Sequence, residues 1–167
     1  SLDLHPGRPD FLATVEVAER ELRVVIAHPP PPRWHRTGYH FTSDTIAQFG
    51  ELLRIAVTDE PTLLLGDFNM LDWHAYHARL VAAGFVDSFR EAGQGAGFTY
   101  PRRYGRLPLV PVLRIDYVWH SPHLRAVSAR VGADAGSDHL PVIVDLAWQT
   151  CQAANQVSAD ANGYAPC

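Results

Sequence analysis

Short apolar runs of strand length, each cut off by a proline, a glycine or a polar residue, recur through this chain, and only two stretches carry apolar residues at helical spacing. A chain divided in this way buries its strands only by layering them into sheets with helices laid on top. Phe11 to Val17 and Glu21 to His28 cluster β-branched residues around a polar break at Ala18 to Arg20, which predicts a hairpin. Pro29 to Pro32 cannot continue a ladder and form a stiff exit, with Trp34 to Tyr39 irregular after it. Thr42 or Ser43 then caps a helix over Asp44 to Val57, whose stripe is Ile46, Phe49, Leu52, Leu53 and Ala56. Pro61 starts the strand Thr62 to Leu65, and a second helix is expected over Trp73 to Ala83 with Gly84 as its stop. Phe98 to Tyr100, Leu113 to Trp119, Leu124 to Val131 and Leu140 to Trp148 read as further strands. Mixed α and β with hairpin-like connections predicts an α/β layered sandwich over residues 1–149, followed by a small, polar tail over 150–167.

With 167 residues and 47% hydrophobic content, the chain can bury one domain core. Its net charge of -4 gives no global attraction to nucleic acid or to an anionic surface, so a phosphate group has to be held by local features. All 14 basic residues are arginine, which removes lysine as a Schiff-base nucleophile or phosphate-loop ligand. Arg102, Arg103, Arg106, Arg114 and Arg125 share a stretch whose one acid is Asp116; it is either locally positive or an ordinary solvated loop. No run reaches the roughly 18 apolar residues of a membrane span, and no signal-peptide pattern opens the chain. Cys151 and Cys167 either pair, which would imply an oxidising compartment, or remain free thiols in the tail.

The chemistry concentrates where apolar runs end. LLLGDFNM runs from a buried strand directly into Asp67 and Asn69; His28 ends another strand; Asp116 sits inside the apolar LRIDYVW; Asp138 and His139 stand at the start of the last strand in GSDHLPV. Taken singly, these are turn formers or satisfied surface histidines. Jointly, a carboxylate in an apolar strand and a nearby imidazole satisfy each other if their strands are adjacent. Oriented imidazoles, carboxylates and a carboxamide suit metal-assisted hydrolysis of a phosphate ester. His74 and His77 lie three apart on the second expected helix, but without a further Cys or His the zinc reading is weaker than plain solvent exposure. Ser137-Asp138-His139 holds the residue types of a serine triad without the nucleophile elbow.

GDFN at Gly66 to Asn69, RIDYVW at Arg114 to Trp119 and GSDHLPV at Gly136 to Val142, in this order after His28, resemble the endonuclease/exonuclease/phosphatase superfamily of deoxyribonuclease I-like proteins. The resemblance covers about residues 11–148. It implies a four-layer α/β/β/α sandwich with its site at one edge of two packed sheets, and Mg²⁺- or Mn²⁺-dependent attack of water on phosphorus. By position, Asp67 would orient or deprotonate the water, Asn69 and His28 would contact the phosphate, and His139, buttressed by Asp116, would contact the scissile group. Asp138, with Asp67, would lie by the metal. Tyr100, Arg102, Arg103 and Arg114 belong to a stretch that either clamps a substrate, whether nucleic acid, phospholipid head group or a soluble ester, or is ordinary loop packing.

The match is incomplete in one respect. The family's Asn near the end of its first strand and its metal-ligating Glu have no counterpart before His28; Glu16 and Glu21 stand in the hairpin, outside that context. The chain is thus expected to be the later part of the family domain. On its own it would be inactive and prone to self-association unless an N-terminal half packs on it, and the alternative is a binding module that keeps the fold without a competent metal site. HPPPP and GSDHLPV also resemble membrane-attached bacterial members, a lean towards an extracytoplasmic location.

Overall fold

The computed structural model describes residues 11–56 and 59–149; the tail with Cys151 and Cys167 lies outside the described residues. β1 (Phe11–Val17) and β2 (Arg20–Ile26) form the expected hairpin, closed tightly by Ala18 and Glu19 at φ 52° and 61°. Two consecutive left-handed residues fit the twist of a two-residue hairpin loop. β3 (Arg33–His35) and β4 (Gly38–His40) pair within the stretch expected to be irregular. α1 (Ser43–Ala56) then crosses over to β5 (Thr62–Asp67), which lies parallel to β2. Parallel neighbours require such a crossover.

α2 (Ala75–Ala82) begins two residues later than expected because the His74 side chain accepts the Tyr76 N–H and caps it. Gly84, at φ 94°, ends it as expected, while Phe85 N–H donates back to the Leu80 carbonyl. β6 (Val86–Asp87) and the short α3 (Ser88–Ala92) follow, then the two-residue strands β7 (Arg103–Tyr104) and β8 (Leu107–Pro108). β9 (Asp116–His120) joins β5 antiparallel, so the main sheet runs β1-β2-β5-β9-β6. β10 (Leu124–Val131) and β11 (Val142–Trp148) form a separate antiparallel ladder, with a register shift between Ala126 and Ser128. The expected strand at Phe98 to Tyr100 reduces to a single bridge, Tyr100 to Leu113.

Phe49, Leu52 and Ile55 of α1 and Leu80 of α2 pack against Val25, Leu64, Tyr117 and Trp119, burying one face of the main sheet. The α1 stripe is rotated from the expected one. Ile46 is about half exposed, whereas Thr45 and Gln48 are buried. Thr45 can go inside because its hydroxyl donates to the Pro30 carbonyl and meets the Thr42 hydroxyl. Strand residues alternate faces, so His120 of β9 points away from α1 and α2. There Glu91 of α3 bridges the His120 ring and the Ala126 N–H of β10, at 2.8 and 2.7 Å. Helices, main sheet and β10–β11 ladder succeed one another as layers of the expected sandwich, which is present in part. Phe11, Val15, Val17 and Ile26 on the β1–β2 side remain exposed. No helix among the described residues is long and apolar enough to cross a membrane.

Candidate active site

Strand pairing alone brings the two carboxylates together, because Asp67 and Asp116 are direct partners across β5 and β9. Gly66 is what lets the end of β2 approach them. At φ +143°, a Cβ there would stand 1.9 Å from the Ala27 carbonyl oxygen, so no other residue fits without moving backbone. The Ala27 N–H in turn donates to the Leu65 carbonyl at 2.9 Å, and the chain emerges as His28 beside Asp67.

Asp67 sits between two imidazoles: His28 Nε2 is 3.4 Å from its Oδ2, and His139 Nε2 is 4.0 Å from the same atom. His139 Nδ1 is 2.8 Å from Asp116 Oδ2. An ionised carboxylate only accepts, so Nδ1 carries the proton there and Nε2 is turned to the Asp67 side. Asn69, at φ 48°, donates its N–H to Asp67 Oδ1 at 2.8 Å, and its Nδ2 donates to the Pro29 carbonyl at 2.9 Å. The rigid proline exit thereby fixes the carboxamide. Pro29 is a contributor that the sequence signalled only as a stiff segment.

Burial holds the Asp67 carboxyl above the ordinary carboxylate range, and the charge of Asp116 adds to it; the Asn69 N–H and the two imidazoles oppose the shift without cancelling it. Asp138 is exposed beside this edge in sequence, with Ser137 Oγ donating to its Oδ1 at 3.3 Å and its backbone carbonyl accepting from Arg102 N–H at 2.6 Å. Tyr100 packs its ring on His139, with centroids 4.6 Å apart.

The arginines behave differently from their expected role. Arg114 is a correction: its guanidinium is buried, with Nη1 and Nη2 donating to the two oxygens of Asp87 at 3.1 and 2.8 Å, and is unavailable to a substrate. His77 is not solvent-exposed as expected; it is buried with Nε2 3.1 Å from the same Asp87. Arg102 and Arg103 both reach Asp134, an acid the sequence reading did not single out although its Asp-Ala-Gly context marks a turn. Among the described residues no three His, Cys, Asp or Glu side chains are grouped to hold a metal ion.

The profile of the Endonuclease/Exonuclease/phosphatase family matches residues 2–139. The chain belongs to this family. No curated protein matches it. Among solved family structures, an endonuclease/exonuclease/phosphatase from Beutenbergia cavernae is 26% identical, with a TM-score of 0.61 over 82% of this chain and 38% of that one. A family protein from Leptotrichia buccalis is 17% identical, with a TM-score of 0.59 over 81% and 52%. The 3′ phosphatase NExo from Neisseria, solved bound to product DNA hairpin, is 23% identical, with a TM-score of 0.63 over 86% and 66%. The chain therefore spans about half the length of the first of the family structures it matches. The deoxyribonuclease I-like α/β fold expected from the motifs is the fold of these relatives.

Proposed function

We propose that this chain supplies the phosphate-contacting edge of a phosphoester hydrolase. The observation that carries the reading is the continuous line of contacts His28–Asp67–His139–Asp116, assembled from four separate segments at one sheet edge. In this reading Asp67 takes a proton from the attacking water, whose oxygen bonds to phosphorus as the ester oxygen departs. A carboxyl raised by burial is suited to that base role. In this reading His139 carries a proton on each ring nitrogen, so that Nδ1 donates to Asp116 while its Nε2, like that of His28, donates to a non-bridging phosphate oxygen. Asn69 has a second amide N–H to offer, since only one is committed to Pro29. Tyr100 contributes through its packing on His139.

The family uses divalent metals, and dependence on Mg²⁺ or Mn²⁺ is part of the proposal, with Asp67 and Asp138 as this chain's oxygen donors. Two carboxylates do not by themselves fit an ion that takes about six oxygen ligands, so further donors would come from beyond the described residues. The missing donor group also favours the second reading, a binding module that keeps the fold without turnover.

One experiment separates the two readings. A polypeptide containing the whole family domain is assayed on bis(4-nitrophenyl) phosphate with Mg²⁺ or Mn²⁺, with and without chelator, beside its Asp116→Asn variant. Chelator-sensitive hydrolysis is expected, and Asp116→Asn should lower turnover about 10-fold by releasing the His139 ring from its orientation. Absent turnover favours the binding module, and turnover that chelator leaves unchanged removes the metal from the proposal. Unchanged turnover in Asp116→Asn removes that residue from the account.

A further inference from the structure

The loop that delivers Asp138 and His139 has little of its own to hold it in place. It spans residues 132–141 between β10 and β11, and residues 133–138 are all exposed. Alanine and glycine are the only non-polar residues over that exposed stretch, so its shape has to come from hydrogen bonds and charge. Two backbone bonds stitch the loop to segment 99–102 on either side of His139. The Arg102 N–H donates to the Asp138 carbonyl at 2.6 Å, and the Leu140 N–H to the Thr99 carbonyl at 2.9 Å. The segment itself is anchored, because Thr99 is buried and the Thr99 and Tyr100 N–H groups donate to the Leu113 carbonyl at 2.8 and 3.1 Å.

Asp134 is the charged tie between loop and segment. Its Oδ1 accepts from the Gly136 N–H at 2.8 Å, which closes a turn inside the loop. From the segment, Arg103 Nη2 donates to both carboxylate oxygens at 2.7 and 2.9 Å, and Arg102 Nε lies 3.2 Å from Oδ2. The Gly136 N–H, and then the two guanidinium charges, hold this carboxyl below its ordinary range. Arg102 is fixed in turn, with Nη1 donating to the Leu109 carbonyl at 3.1 Å. Ion pairs this open to solvent, with the Asp134 side chain 31% and that of Arg103 33% exposed, add little to global stability. What they determine is where the loop sits. His139 is thereby presented with both backbone neighbours held and its ring on Tyr100.

We propose that Asp134 is a positioning residue, which acts through Arg102 and Arg103 to hold Asp138 and His139 at the Asp67 edge. The inference rests on the hydrolase reading for its effect on turnover; the hold on the loop itself requires no turnover.

Amide hydrogen exchange of the chain, followed by NMR, tests the hold. In Asp134→Ala the Arg102 and Leu140 N–H groups should exchange about 10-fold faster or more, while those of Thr99 and Leu113 keep their wild-type rates. A merely structural loss would speed all four together. The melting temperature should stay within about 4 °C of the wild type. Asp134→Asn keeps an acceptor for the Gly136 N–H but lacks the charge, and should behave as Asp134→Ala does. In a polypeptide spanning the whole family domain, Asp134→Ala should lower kcat on bis(4-nitrophenyl) phosphate about 10-fold, with KM little changed. Arg103→Gln added to it should cost nothing more, because both substitutions remove one interaction. Unchanged exchange at Arg102 and Leu140 overturns the proposal, as does exchange that rises equally at all four amides. Wild-type behaviour in Asp134→Asn overturns it too, since the turn and not the arginines would then hold the loop. Unchanged kcat in an active Asp134→Ala domain does the same. An inactive wild-type domain would fail the hydrolase reading alone, and the exchange rates would still decide the hold.

Discussion

Asp67→Ala, made in a polypeptide that spans the whole family domain, is expected to lower phosphodiester turnover by about 10²-fold or more while leaving the fold intact. The substitution removes the proposed base and the carboxylate that both imidazoles face. It also frees the Asn69 N–H that Asp67 Oδ1 holds, loosening the carboxamide. Asp67→Asn divides these effects, since an amide oxygen can still accept from Asn69 but cannot take a proton from water. His139→Ala should cost a similar factor. Trp73→Ala, at a side chain 77% exposed, should keep full turnover. His74→Ala should cost about 1 kcal/mol of stability through the lost α2 cap and leave turnover unchanged. Thermal melts and initial rates for the set check this; near-normal rates in Asp67→Ala would take that residue out of the chemistry.

The second large effect is on stability. Asp87→Ala is expected to destabilise the chain by about 3–5 kcal/mol, because it strands the buried Arg114 guanidinium without its partner. It also strips His77 of its contact and α3 of the oxygen that accepts from Phe89 and Arg90 N–H. Arg114→Met added to Asp87→Ala should recover part of the loss, since the two sites share one interaction. The pair also sets an acid limit. Burial alone would raise the Asp87 carboxyl, but the hydrogen bonds from His77 and Arg114 outweigh it and bring it to about 2, from an ordinary 3.8. A depressed folded-state value means stability that is complete above the unfolded value and is lost as pH falls from about 4 towards 2. Denaturant titrations across that range should show a loss on the order of 2–3 kcal/mol in the wild type that is absent in Asp87→Ala.

The parts of the fold that the sequence disclosed are those where a local pattern repeats. The β1–β2 hairpin, the β5 strand and the β10–β11 ladder are long enough for apolar alternation to show, and Gly84 marks a helix end by its backbone alone. Strands of two or three residues such as β3, β4, β7 and β8 hold no periodicity and exist through their partners. The site was legible because Asp67, Asn69, Asp116 and His139 each interrupt or end an apolar run. Arg114 was misplaced for the opposite reason: an arginine at the head of an apolar run looks free until Asp87, 27 residues away, is folded against it. His77 was misjudged in the same way, since only the fold reveals its buried carboxylate. The α1 stripe shifted because the Pro30 carbonyl satisfies Thr45 inside the core, a contact 15 residues distant.

The central claim is that His28 and His139 close on one phosphate beside Asp67. Titrating inorganic phosphate into the chain while following the histidine ring signals by NMR tests it most directly. The His28 and His139 rings are predicted to shift together along one saturation curve, with buried His77 unmoved and the response lost in Asn69→Ala. Different midpoints for the two rings, or shifts confined to histidines away from Asp67, would contradict it.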